Sequence, residues 1–98
     1  MIHHIVLIKP RDGVQPAALT RLAEALAALP GKIPGITGYM WGPNASPEGL
    51  NRGYTHGFVM LFADAAARDA YLPHPDHVAI GPLMQPVAEE VLVYDLES

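Results

Sequence analysis

Apolar residues alternate with period two in several stretches of the chain, and helical spacing takes over between them. The run from Ile2 to Lys9 is rich in β-formers and ends at Pro10-Arg11-Asp12-Gly13, which predicts a strand followed by a turn. Pro16 suits the first position of a helix, and Leu19, Leu22, Leu26 and Leu29 then recur at spacings of 3, 4 and 3. That is a single apolar stripe, ended by Pro30-Gly31. Ile36 to Gly42 reads as a second strand, Pro43 to Gly53 as a loop, and Tyr54 to Phe62 as the third and strongest strand. Asp64 is placed to cap a short alanine-rich helix reaching Leu72. Pro73-His74-Pro75 breaks that helix, and a second short helical stretch runs from Pro75 to about Ile80. Pro82 to Glu89 fits neither period, and Glu90 to Leu96 is the last strand.

The resulting order, β-α-β-β-α-β, is the α+β ferredoxin-like arrangement: a four-stranded antiparallel sheet of order 4-1-3-2 with both helices on one face. A chain of 98 residues holds one such domain, spanning residues 1–98. The strands, however, are apolar on both sides. The first carries Ile2, His4, Val6 and Ile8 on one face and Ile5 and Leu7 on the other. The third sets Tyr54, His56, Phe58, Met60 and Phe62 against Val59 and Leu61, and the fourth sets Val91 and Val93 against Leu92 and Tyr94. Two helices cover one face, so the other is expected to meet the same face of a second copy in a homodimer.

Composition fits that expectation. Half of the residues are apolar and only 16% are charged, against about 25% in an ordinary soluble domain. A net charge of −4, with Lys and Arg scattered singly, supplies no basic face for nucleic acid or an anionic membrane. The opening apolar run lacks a basic lead and stops within eight residues, so neither a signal peptide nor a membrane span is expected and cytoplasm is the default. With no Cys there is no thiol nucleophile or zinc–thiolate site, and with serine only at Ser46 and Ser98 a serine nucleophile is disfavoured.

What remains for chemistry is mostly histidine and tyrosine. His4 and His56 fall on the same face of neighbouring strands, beside Tyr54. In Tyr71-Leu72-Pro73-His74-Pro75-Asp76-His77, Pro75 starts a helical turn that places His77 among unpaired N–H groups, which favours neutral imidazole, while Asp76 acts in the opposite sense. A neutral histidine near a tyrosine hydroxyl suits enolisation next to a carbonyl. On the structural alternative, His74 caps the helix, Tyr71 fills core, and His4 and His56 are satisfied residues of half-buried strands. His74, Asp76 and His77 are too close in sequence to reach one ion together, so no metal is expected. No phosphate loop or dinucleotide fingerprint occurs, so no nucleotide cofactor is expected either.

The segments HHIVLIK, IPGITGYMWGPNASPEG, RGYTHGFVMLF, AYLPHPDHVAIGPLMQPV and VYDL, in that order over nearly the whole chain, resemble the stress-responsive dimeric α/β-barrel (Dabb) domain family. The resemblance implies a ferredoxin-like monomer paired through its sheet as a dimeric α/β barrel. One branch of that family, polyketide cyclases of the olivetolic acid type, closes linear polyketides by aldol chemistry without a cofactor. By similarity with it, Tyr71 and His77 match the acid/base pair, and His4 and His56 match two further pocket histidines. Asp76, Pro10 and Leu72-Pro73 depart from the branch's pattern and imply a different pocket shape.

Function is thus expected to take one of two forms. The first is a cofactor-independent acid/base enzyme, cyclase- or lyase-like, acting on a small apolar carbonyl compound with His77, Tyr71, His56 and His4 around one cavity. The second is a non-catalytic stress-responsive or ligand-binding dimer with structural histidines. An oxygen-dependent monooxygenase of related fold is a third reading that no residue singles out.

Overall fold

The computed structural model describes residues 1–98. Strand β1 (Ile2–Pro10) leads into helix α1 (Pro16–Ala28), which tightens into a 3-10 turn at Leu29–Gly31. Strands β2 (Ile36–Pro43) and β3 (His56–Phe62) follow, then three short helices, α2 (Ala65–Tyr71), α3 (Pro75–Val78) and α4 (Gly81–Met84), and finally β4 (Ala88–Glu97). All strand pairs are antiparallel and the sheet order is β2-β3-β1-β4, the predicted order counted from the other edge. The fold is the ferredoxin-like α+β arrangement.

Local chemistry explains most boundaries. Pro16 starts α1, whose Ala18, Leu22 and Leu26 are buried. Asp64 caps α2 by accepting from the Ala67 amide at 2.8 Å. His74 caps α3 in the same way, its Nδ1 accepting from the Asp76 amide at 3.1 Å. Gly35 has φ +93, and a Cβ there would lie 2.6 Å from Ala67 Cβ, so only glycine lets β2 begin this close to α2. Two elements differ from the sequence reading. The third strand begins at His56, because the Tyr54 amide is still held in the loop by Asn51 O. The stretch that fitted neither period holds α4 and a turn, and β4 starts at Ala88. Both differences are hydrogen-bonding outcomes that side-chain periodicity does not report.

The core lies between the sheet and the helices. Ile2, Val6 and Ile8 of β1 and Phe58, Met60 and Phe62 of β3 meet Leu22, Leu26 and Leu29, with Tyr71 and Ile80 from the second helical segment. His4 is the one buried polar residue among them. The other sheet face has no cover. Ile5, Leu7, Val59 and Leu61 are only half-buried there, and Met40, Leu92, Tyr94 and Leu96 are exposed. A polar knot closes one end of this apolar face: Tyr54 Oη donates to Glu90 Oε2 at 3.0 Å, with Lys9 Nζ 3.3 Å from the same oxygen. The Tyr54 hydrogen bond, helped by Lys9, holds the Glu90 carboxyl below its ordinary range.

Candidate active site

The strands and short helices bring three of the histidine and tyrosine candidates to one place. A cavity of about 190 Å³ lies between the sheet and the second helical segment. His4 reaches it from β1, Tyr71 from the last position of α2, and His77 from α3, while its remaining lining is apolar. Phe58 and Leu26 form its inner wall, and exposed Leu72, Val91 and Val93 form its rim. The rim lies along β4, an edge strand of the sheet whose Val91 and Val93 stay exposed.

His77 donates from Nδ1 to the backbone oxygen of Leu72 at 2.8 Å. A carbonyl oxygen can only accept, so Nδ1 carries the proton. Nε2, which makes no hydrogen bond within the chain, is left as a lone-pair acceptor. The His77 ring lies 4.1 Å, centroid to centroid, from the Tyr71 ring. Burial pushes the Tyr71 phenol up to about 12, so at neutral pH it is a hydrogen-bond donor.

His4 is fixed by a pair of residues that the sequence reading did not single out. Its Nδ1 donates to Asp95 Oδ1 at 2.6 Å, and the second oxygen of that carboxylate accepts from Arg68 Nη1 at 2.7 Å. Burial by itself would raise the Asp95 carboxyl, but the hydrogen bonds from His4 and Arg68 outweigh it and hold the carboxyl below its ordinary value. Asp95 therefore stays an acceptor and fixes the His4 tautomer with Nε2 free. No buried polar side-chain atom of the molecule lacks a partner. His4 Nε2 and Tyr71 Oη, which have none within the chain, accordingly border open space, and the cavity is that space. The signal for Asp95 was present in the alternation Val91, Val93, Asp95, which carries an acid onto the helix-covered face. The signal for Arg68 was its position one turn before Tyr71 on α2.

His56 is placed elsewhere. It stands opposite Ile8, four residues along β3 from the residue opposite His4, roughly 13 Å at the usual strand rise. Its Nδ1 is 3.0 Å from Thr55 Oγ1 and its ring lies 6.0 Å from that of Trp41. It borders a second, wider concavity of about 540 Å³ that opens on the uncovered sheet face beside Ile5, Leu7 and Leu92. That concavity is the larger of the two but holds none of His4, Tyr71 or His77. His3 points toward the chain end, its Nε2 2.9 Å from Ser98 Oγ. No three His, Asp or Glu side chains converge closely enough to hold a metal ion.

The arrangement can take a proton at a histidine Nε2 and give a hydrogen bond from a phenol, both beside a largely apolar cavity. Asp95 is also expected to stabilise the fold in a pH-dependent manner. Its folded-state carboxyl is depressed, so its contribution is complete above the unfolded value of about 3.9 and disappears as pH falls through the folded value. Asp95→Asn should cost about 1–3 kcal/mol at pH 7, measured by urea denaturation. The gap to the native protein should narrow as pH falls through the folded-state value; a gap that does not narrow on acidification would contradict this assignment.

Comparison with known proteins gives the chain its relatives. The family model for the stress responsive A/B barrel domain, Dabb, matches residues 2–98. The stress-response A/B barrel domain-containing protein HS1 of Arabidopsis thaliana is 33% identical over 94 residues, 96% of this chain and 86% of that protein. Olivetolic acid cyclase of Cannabis sativa is 24% identical over 94 residues, 96% of this chain and 93% of that one. Among solved structures, a dimeric ferredoxin-like protein of unknown function from Jannaschia sp. CCS1 superposes with a TM-score of 0.81 at 35% identity, covering 99% of this chain and 98% of that chain. With a match over nearly its whole length, the chain belongs to the Dabb family of stress-responsive A/B barrel domains.

Proposed function

We propose that this chain is a homodimer joined through its open sheet faces, and that the cavity under its helices performs cofactor-independent acid/base chemistry on a small, largely apolar carbonyl compound. The observation that carries the chemical reading is that three residues with an unpartnered polar atom, His77 (Nε2), Tyr71 (Oη) and His4 (Nε2), line one otherwise apolar cavity.

The steps follow from the atoms. A substrate carbonyl oxygen accepts a hydrogen bond from the Tyr71 hydroxyl, which burial keeps protonated. His77 Nε2 removes a proton from the adjacent carbon, and the electron pair moves onto the oxygen as an enolate. The enolate carbon then attacks a second carbonyl, and protonated His77 returns its proton to the resulting alkoxide. In the reverse sense His77 takes the proton of a β-hydroxyl, the carbon–carbon bond breaks to a carbonyl and an enolate, and the proton goes to the enolate carbon. His4 Nε2 accepts from a second donor of the substrate and orients it. His56 lies outside this scheme. A relative that carries the name of a cyclase supports a ring-closing use of the enolate, and relatives described as dimeric support the homodimer.

Enolisation is measurable without knowing the natural substrate. The native protein should accelerate deuterium uptake from heavy water into the methyl group of acetophenone, followed by NMR. His77→Ala should slow the catalysed part by on the order of 100-fold or more, and Tyr71→Phe by about 10- to 1000-fold. Binding of the ketone with no exchange above buffer would favour the ligand-binding dimer instead. For the assembly, sedimentation should give twice the 10.5 kDa chain mass, and Val59→Asp, at the middle of the open face opposite Ile5, should yield monomer. A monomeric native chain would overturn the dimer.

A further inference from the structure

Phe58 has a position no other residue shares. It is the single residue that borders both the cavity holding His4, Tyr71 and His77 and the concavity on the open sheet face, and its side chain lies on the covered face against Trp41. Along β3 it stands between His56 and Met60 on the helix-covered face, with Met60 opposite His4. Its ring centroid is 6.4 Å from that of His4 on one side and 6.5 Å from that of Trp41 on the other, nearly parallel to the indole at 16°. The Trp41 ring in turn lies 6.0 Å from His56. The row of rings from His4 to His56 thus runs through the Phe58 phenyl and the Trp41 indole, and Phe58 is only 5% exposed.

Two arrangements of the space under the helices are possible for such a strand. With a small residue at position 58, the cavity would run on along the covered face toward the rings of Trp41 and His56. With phenylalanine, the cavity ends at the ring. Its volume, about 190 Å³, compares with the roughly 150 Å³ that admits a benzene molecule. A single ring or a short branched chain with its carbonyl fits, and a longer tail has only the solvent-facing rim at Leu72, Val91 and Val93 to follow.

We infer that Phe58 is the residue that sets the substrate class of this site: it closes the inner end of the cavity, selects carbonyl compounds of about one ring in size, and keeps His56 out of the chemistry. The inference rests on the acid/base reading of the cavity for the word carbonyl, but the wall itself does not depend on it. Phe58 is a specificity-determining residue and not a catalytic one, because it offers no polar atom. Shortening it is expected to extend the cavity toward Trp41 and His56, so that an alkyl tail can point inward.

Binding of acetophenone, 4-butylacetophenone and butylbenzene to the native protein, Phe58→Val and the milder Phe58→Leu tests this. Trp41, the one tryptophan of the chain, reports tail entry by its fluorescence, and ring 15N shifts report His77 and His56. Acetophenone should bind all three proteins with similar affinity. The butyl compounds should bind Phe58→Val on the order of 10- to 100-fold more tightly than they bind the native protein, from burial of the added methylenes. Their binding should change Trp41 fluorescence and His56 shifts in the variants alone. Native protein in which the butyl tail already perturbs Trp41 or His56, or variants with no gain for the butyl compounds, would overturn the wall. Butylbenzene separates the two claims. If it binds as tightly as its ketone and leaves the length dependence intact, the wall stands and the carbonyl reading fails. If ketones bind better than butylbenzene but the variants gain nothing, the reverse holds. Binding of no probe to any of the proteins would overturn both.

Discussion

The Asp95 carboxylate is the point on which the sheet, a helix and the candidate site meet. It stands opposite His4 in the pairing of β1 with β4, accepts from His4 with one oxygen, and accepts from Arg68 of α2 with the other. Without it, His4 would be a polar ring buried on the same face as Ile2, Val6 and Ile8 with nothing to satisfy its N–H, a costly situation. With it, the ring is held in one tautomer and its second nitrogen is free to meet the cavity. The same ion pair ties α2 to the edge strand, and α2 is the helix that ends in Tyr71.

The chain's apolar excess resolves into two different surfaces. On the helix-covered face it forms a packed core with a small cavity left in it. On the other face it forms an open apolar sheet with Met40, Leu92, Tyr94 and Leu96 exposed, the surface proposed to meet a second copy. A low charge content serves both, since neither face tolerates many unpaired charges. The proposed site lies on the helix side of the sheet, so dimer contact and cavity occupy opposite faces of β1 and do not compete for the same side chains.

Much of this was legible in the sequence because period-two alternation assigns a face to every strand residue. It placed His4 on one face with Ile2, Val6 and Ile8, and the strand order, the Asp64 cap and the Pro16 helix start were read from local rules that depend on few neighbours. Alternation does not give distance along a strand. His4 and His56 share a face, yet the antiparallel register sets His56 opposite Ile8 and puts Phe58 between them. Asp95 and Arg68 escaped notice for the same reason, since their partnership exists only once β4 is registered against β1 and α2 is docked above both. Residues whose role follows from their own element were readable, and residues whose role follows from a register between elements were not.

Two imidazoles that each hold their proton on Nδ1, His4 and His77, carry the proposed chemistry. A two-bond 15N–1H correlation spectrum of the histidine side chains, recorded above pH 8, distinguishes the two neutral tautomers directly. His4 and His77 are both expected as the Nδ1–H form, His4 through Asp95 and His77 through the Leu72 carbonyl, with Asp95→Asn disturbing His4 and leaving His77 unchanged. Either ring found as the Nε2–H tautomer would contradict the account, because that nitrogen then has no lone pair with which to accept a proton.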